Sequence, residues 1–176
     1  MQERCKIGVV IGNANSPHAV NIMKGIDQAS KECDVQIMYF MNVSSPYTAQ
    51  LYPPDTSIGW DYQKSAIYDY ARYVKADVLI MTYGMMSIFM KSDYGKQYLE
   101  YFRNVPCVLI NEQTDRPNWT SIIVDNYNGI YELVEHLVRD HGYHNFAFLA
   151  GPPGNTDACQ RKRAPFICHF SSPPIF

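Results

Sequence analysis

The chain of 176 residues carries a formal net charge of −2, and 47% of its residues are hydrophobic against 18% charged. This composition can bury a core, and it excludes a chain disordered throughout. No basic run precedes Lys162, so the charge pattern typical of nucleic-acid binding is missing. No apolar stretch reaches the roughly 18 residues of a membrane span, and the start does not read as a signal peptide. We expect a soluble, cytoplasmic protein with no membrane partner.

Cysteine and histidine spacing gives no metal or disulfide signature. The five cysteines are scattered, odd in number and free of C-x-x-C spacing, which argues against a disulfide framework or a zinc site. His136, His141 and His144 lie on or just beyond the end of one predicted helix, where a solvated imidazolium is favoured. We therefore predict neither a metal nor a cofactor.

The first forty residues predict a β-α-β unit. Lys6–Gly12 is a continuous β-rich run of the kind buried in a parallel sheet. Ser16 suits the N-cap and Pro17 the first position of an amphipathic helix over Pro17–Glu32. Val35–Phe40 is predicted to be the next strand.

The alternation continues after a loop-like stretch over Met41–Trp60. Helices are predicted over Tyr62–Val74 and Asp93–Arg103. Strands are predicted over 76–83 and Val105–Asn111.

The same pattern then begins again. Ser121–Asn126 is predicted as a strand, with Asn126 capping an amphipathic helix that ends at Gly142, a residue suited to the left-handed C-terminal position. "FAFLAG", residues 146–151, is predicted as a buried strand. The alternation indicates an α/β fold with right-handed crossovers. Ligands of such folds bind beyond the carboxyl ends of the strands.

The Gly/Pro-rich stretch "AGPPGNTDA" does not read as a phosphate-binding loop. Neither the Lys nor the Ser/Thr of a P-loop follows Gly154, and prolines remove backbone donors that a phosphate needs. Polar residues at the predicted strand ends could converge on a hydroxyl-rich ligand, although loop asparagines commonly form turns. These residues are Asn13, Asn15, Asn111, Glu112 and Asp125.

An enzymatic alternative uses some of the same loops. Ser16, His18 and Asp125 could be arranged as a nucleophilic triad of a small α/β hydrolase. The strained G-x-S-x-G turn of such enzymes is absent, and Ser16 is already expected to cap a helix. We therefore favour a protein that is not an enzyme.

Three stretches resemble the lac-repressor-like effector domains. They are "IGVVIGNANSPHAVNIMKGIDQAS", "VPCVLINEQ" and "SIIVDNYNGIYELVEHLVRDHGYHNFAFLAGPPGNTDACQR". The resemblance covers nearly all of Lys6–Arg161. "WDYQKSAIYDYARYVKADVLIM" and "GIYELVEHLVRDHG" are similar to sensor domains fused to diguanylate cyclases (GGDEF), histidine kinases or other output modules.

The resemblance implies a periplasmic-binding-protein-like, type I clamshell of two α/β lobes that closes on a small-molecule effector. It implies a complete N-terminal lobe over residues 1–114 and a partial C-terminal lobe over 115–161. It also implies a sugar- or nucleoside-like effector and a role in a transcriptional or signalling regulator. The matching contact positions are Asn13, Asn15, Ser16, His18, Tyr83, Gly84, Asn111, Glu112, Asp125, Asp157 and Arg161.

The sequence departs from this family in three places. His18 and Ala19 stand where an aromatic residue usually follows the turn, which leaves the effector open. No DNA-binding headpiece precedes Lys6, so we expect no nucleic acid to bind this chain itself; a repressor lacking its headpiece remains an alternative. Residues 162–176 follow no helical pattern and are predicted to be a non-native or disordered tail of a truncated chain. Truncation predicts weak or absent effector binding. It also predicts exposed sheet edge and apolar surface, and hence a homodimer or aggregation.

Overall fold

The computed structural model describes residues 4–43, 62–86, 92–151 and 156–164, which form two compact units. The first unit is Met1–Ile123 and the second is Val124–Phe176. Within the described ranges, no helix is long and apolar enough to cross a membrane.

The first unit is built on a parallel five-stranded sheet. Its strands are β1 (Cys5–Ile11), β2 (Val35–Met41), β3 (Val78–Met81), β4 (Cys107–Ile110) and β5 (Trp119–Ile122), in the order β2-β1-β3-β4-β5. Its helices are α1 (Pro17–Glu32), α2 (Tyr62–Tyr70), the single turn α3 (Tyr83–Met86) and α4 (Ser92–Tyr101). In register, Val10 of β1 lies between Phe40 of β2 and Met81 of β3.

Apolar side chains cover both faces of this sheet. Val10 and Ile11 are consecutive in β1, so their side chains point to opposite faces. Val10 belongs to a core cluster with Tyr68, Tyr98 and other residues of the helix-bearing segments. Ile11 packs with Ala19 at the start of α1. The sheet is therefore doubly wound, and the predicted α/β alternation in this unit is confirmed.

The predicted β1-α1-β2 unit is confirmed closely. Helix α1 begins at Pro17, and the hydroxyl of Ser16 accepts a hydrogen bond from the Ala19 N–H at 3.2 Å. This bond satisfies one of the free donors of the first helical turn.

The strand predicted over Ser121–Asn126 is displaced and belongs to the first unit. It occupies Trp119–Ile122 and pairs in parallel with β4. Trp119 is buried in the same core cluster as Cys107 and Leu109, which ties this strand to the first sheet. The first unit ends at Ile123.

The second unit contains α5 (Asn126–Arg139) and α6 (Thr156–Arg163). Asp125, not the predicted Asn126, is the N-cap of α5. The C-terminal end is as predicted: Gly142 has a φ of 67°, and its N–H donates to the Val138 carbonyl at 3.1 Å.

Two further predictions for this unit are wrong. "FAFLAG" has no regular secondary structure, and Leu149 is 98% exposed. A strand forms only by pairing, and the described part of this unit offers no second strand. Lys162 and Arg163 continue helix α6 rather than starting an irregular tail. The rest of the predicted tail, 165–176, lies outside the described residues.

Candidate functional site

The strand order defines a crevice at the carboxyl ends of β1 and β3. From β1 the chain crosses to β2 on one side, while β3, β4 and β5 follow on the other. Such a reversal separates the loops that leave adjacent strands, and ligands of doubly wound folds bind there. Three loops meet this edge, over residues 12–16, 82–84 and 111–113. They contain most of the residues predicted to bind a ligand.

The loops after β1 and β3 are held together at Gly12. Its N–H donates to the hydroxyl of the buried Thr82 at 3.0 Å. A Cβ at Gly12 would lie 2.7 Å from the backbone carbon and oxygen of Met85. Only glycine fits this approach, so the floor of the crevice is fixed by backbone packing.

The turn after β1 is fixed by Asn42, a residue that the sequence pattern did not single out. The Asn13 N–H donates to Asn42 Oδ1 at 2.8 Å, and the Ala14 N–H donates to the Asn42 backbone oxygen at 2.8 Å. Asn13 adopts a φ of 51°, a left-handed conformation that asparagine tolerates better than most residues. Asn42 is 6% exposed, so this support is internal to the fold.

Asn111 joins the end of β4 to the start of α1. Its Nδ2 lies 2.8 Å from His18 Nε2. An amide nitrogen can only donate, so His18 accepts through Nε2 and carries its proton on Nδ1. Asn111 also has a left-handed backbone, with a φ of 60°. A positive φ is uncommon for residues other than glycine, and here two such residues, Asn13 and Asn111, follow strands at the same edge of the sheet. Backbone outliers of this kind cluster at functional sites.

Tyr83, Gly84 and Glu112 complete the cluster in the first unit. A Cβ at Gly84 would lie 3.6 Å from the Asn111 backbone oxygen, so these two loops touch. Burial raises the pKa of the Tyr83 phenol, and the charge of Glu112 raises it further. Tyr83 therefore remains a neutral hydroxyl that can donate and accept, beside a carboxylate that can only accept.

The structure also places the other predicted residues of this unit. Asn13 forms the left-handed turn after β1, Asn15 is exposed, and Ser16 caps α1. The residues that meet at this edge of the sheet are called the strand-end cluster below. They are His18, Tyr83, Gly84, Asn111 and Glu112.

The residues of the hydrolase alternative are not arranged for catalysis. The Ser16 hydroxyl is engaged by the Ala19 N–H, while the His18 ring bonds to Asn111 rather than to Ser16. Asp125 belongs to the second unit, where it accepts from the Asn128 N–H at 3.0 Å and from its side-chain amide at 2.6 Å. These bonds lower the pKa of the Asp125 carboxyl.

In the second unit, Asn126 connects two of the predicted residues. Its Nδ2 donates to Asp157 Oδ1 at 2.9 Å, and its Oδ1 accepts from Arg161 Nε at 2.6 Å. Asn126 is 4% exposed. Within the described residues this arrangement leaves the terminal guanidinium nitrogens of Arg161 for a further acceptor. The sequence pattern indicated only a cap at Asn126, not this bridging role.

The doubly wound sheet with its polar strand-end cluster is an α/β fold, and the solved structures that it resembles have the periplasmic-binding-protein-like fold. The structure resembles the Lac repressor bound to ONPG (TM-score 0.64, 20% identity, covering 92% of this chain and 43% of the repressor chain). It also resembles CcpA of Lactococcus lactis (TM-score 0.59, 15% identity, covering 91% of this chain and 51% of the CcpA chain). A third match is GanP, a glucose-galactose binding protein of Geobacillus stearothermophilus (TM-score 0.62, 17% identity, covering 93% of this chain and 52% of the GanP chain).

These likenesses show the fold, and the predicted fold class is confirmed. The chain spans about half the length of the structures it matches. Neither protein-family models nor curated protein sequences give a match.

Proposed function

We propose that this chain is the sensing part of a transcriptional or signalling regulator and binds a small hydroxylated effector, of sugar or nucleoside type, at the strand-end cluster. The observation that carries the proposal is the Asn111–His18 pair, held by a left-handed backbone at the carboxyl edge of the sheet. The resemblance to a repressor bound to ONPG and to a glucose-galactose binding protein supports it by analogy of fold.

The chemistry of the cluster suits vicinal hydroxyl groups. Each hydroxyl both donates and accepts, and the cluster offers an acceptor-only carboxylate at Glu112, a phenol at Tyr83 and an amide at Asn111. Because the His18 and Asn111 side chains satisfy each other without a ligand, each can exchange that bond for one to a ligand hydroxyl. Such paired groups cost little to desolvate before binding.

We further propose that the second unit contributes Asp125, Asp157 and Arg161 when an effector draws the two units together. A guanidinium held at Nε, as in the Arg161–Asn126 bond, keeps two terminal nitrogens for a ligand oxygen. Closure of this kind shifts a two-state equilibrium that an attached module can read. This mechanism requires no chemical step and no cofactor. We propose a homodimer as the assembly.

The test is saturation-transfer NMR with a panel of monosaccharides and nucleosides, a method that also detects weak binding. We expect transfer to at least one compound, lost in His18→Ala and in Asn111→Ala. Lys24→Ala, an exposed position on the same helix as His18, is the matched control and should bind like the unaltered chain. Binding that persists in His18→Ala, or a panel with no binder, would contradict the proposal.

A further inference from the structure

His136 and His141 form a pair at the C-terminal end of α5, in the second unit. His136 Nε2 lies 3.1 Å from His141 Nε2, and the rings are nearly perpendicular at 84° with centroids 4.8 Å apart. The sequence pattern favoured solvated or hydrogen-bonded histidines here over a metal site. Both residues are exposed, so this contact forms at the surface, where solutes can reach it.

The pair has the geometry of two imidazoles that share one metal ion. Two nitrogens each about 2.05 Å from a metal lie roughly 2.9 Å apart at a right angle and roughly 3.3 Å apart at the tetrahedral angle. The observed separation falls between these limits. At that separation, rings that point at one metal would have centroids about 4.8 Å apart, whereas rings pointing straight at each other would be farther apart. Both observed distances therefore match those of two imidazoles that bind one metal.

The second nitrogen of His136 is already oriented as in many metal sites. Its Nδ1 lies 2.6 Å from Asp140 Oδ2. A carboxylate only accepts, so Nδ1 carries the proton and the Nε2 lone pair is directed at His141. Carboxylate–imidazole–metal arrangements of this kind fix the tautomer and make the ligand nitrogen more basic.

We propose that His136 and His141 bind a divalent transition-metal ion through their Nε2 atoms, with Asp140 as the positioning residue. In the metal-free chain one imidazole donates a hydrogen bond to the other. The ion takes the place of that proton, and His141 then carries its proton on Nδ1. Among the described residues, no group of three or more His, Cys, Asp or Glu side chains is placed to hold a metal, so water fills the remaining positions.

Ligand type predicts which ions bind. Imidazole nitrogen suits Cu²⁺, Ni²⁺ and Zn²⁺, and affinity for divalent ions rises towards Cu²⁺ along the first transition row. Mg²⁺ and Ca²⁺ prefer oxygen ligands and should not bind at this pair. The site is independent of the proposed effector function.

The test is calorimetric titration of the metal-stripped chain with Zn²⁺, accompanied by electron paramagnetic resonance of the Cu²⁺ complex. We expect one Zn²⁺ site that is lost in His141→Ala and in the double variant His136→Ala/His141→Ala. His144→Ala removes an imidazole of the same segment and is the matched control; it should retain the site. The Cu²⁺ signal that disappears in the double variant should show coupling to two nitrogens.

Asp140→Asn separates positioning from ligation. Loss of the carboxylate that holds a metal-binding imidazole lowers metal affinity by about 10- to 100-fold, while the spectrum should still show two coupled nitrogens. Three outcomes would overturn the proposal: unchanged Zn²⁺ binding in the double variant, coupling to a single nitrogen, or a loss in His144→Ala equal to that in His141→Ala.

Discussion

Asn111 Nδ2 lies 2.8 Å from His18 Nε2, and this contact joins two segments 93 residues apart in the chain. The backbone that presents the Asn111 amide is left-handed, with a φ of 60°. Strand β4 continues into this residue because the Asn111 N–H donates to the Ile122 carbonyl of β5 at 2.8 Å. The position of the amide is therefore set by the sheet itself.

The left-handed backbone at Asn111 predicts a difference between two substitutions. Asn111→Gly and Asn111→Ala both remove the bond to His18, but only alanine pays the steric cost of a positive φ, about 1 kcal/mol. We expect Asn111→Ala to be the less stable of the two in urea denaturation. Equal stabilities would show that the backbone relaxes when the amide is lost, which contradicts a sheet-imposed conformation.

The close approach at Gly12 predicts a large effect of a single methyl group. The Gly12→Ala Cβ would meet Met85 backbone atoms at 2.7 Å, so the loops after β1 and β3 must separate, at a cost of about 2 kcal/mol or more. Gly25→Ala is the control, because the same methyl group meets nothing within 4 Å in helix α1. That substitution should stabilise the chain by about 0.5–1 kcal/mol. The denaturation midpoint should fall in Gly12→Ala and rise in Gly25→Ala. If both midpoints rise or both fall relative to the unaltered chain, this packing is contradicted.

Arg72 is predicted to stabilise the first unit through three tyrosine rings. Its guanidinium carbon lies 5.7, 5.2 and 5.1 Å from the ring centroids of Tyr94, Tyr98 and Tyr101. Arg72→Ala should lower the free energy of unfolding by about 2 kcal/mol, and Arg72→Lys should recover only part of it, because ammonium lacks the planar face of guanidinium.

The control for Arg72 is Arg103→Ala, which removes an exposed arginine paired with Glu100 at 3.1 Å. Exposed pairs contribute little to stability, so this variant should unfold close to the unaltered chain. An Arg72→Ala variant that behaves like Arg103→Ala would refute the role given to the tyrosine rings.

Asp125 predicts a pH dependence of helix α5. Hydrogen bonds from Asn128 lower the pKa of its carboxyl in the folded state. The stabilisation is therefore present above the unfolded-state pKa and is lost as the pH falls through the lower folded-state value. Asp125→Asn keeps a capping side chain but does not titrate. Its melting temperature should fall less than that of the unaltered chain between pH 6 and pH 2, and parallel pH profiles would contradict the assignment.

The fold of the first unit could be predicted from local pattern because its first elements carry unambiguous signals. Ser16 and Pro17 mark the start of α1, and the apolar runs around β1 and β2 have the length and composition of buried parallel strands. The position of β5 could not be predicted in this way. Its partner is chosen by the burial of Trp119 against residues far along the chain, and no local period encodes that contact.

The candidate site was predictable only in part, for a similar reason. Polar residues after buried strands indicated Asn111 and Glu112, since parallel strands bring their carboxyl ends together, whereas the family resemblance implied His18. The supporting roles of Asn42 and Asn126 depend on long-range hydrogen bonds, and an asparagine in a loop or at a helix start has no sequence signal that separates such a role from a turn.

Mapping an effector by amide chemical-shift perturbation tests the central claim most directly. A hydroxylated compound that binds the chain should shift the backbone amides of Asn13, Gly84 and Asn111 and the His18 ring signals most strongly, in proportion to the bound fraction. The amides of Lys31 and Glu32, at the opposite end of α1 from His18, should stay unchanged. Saturable shifts that avoid the carboxyl ends of β1, β3 and β4 would place the binding site elsewhere and contradict the account.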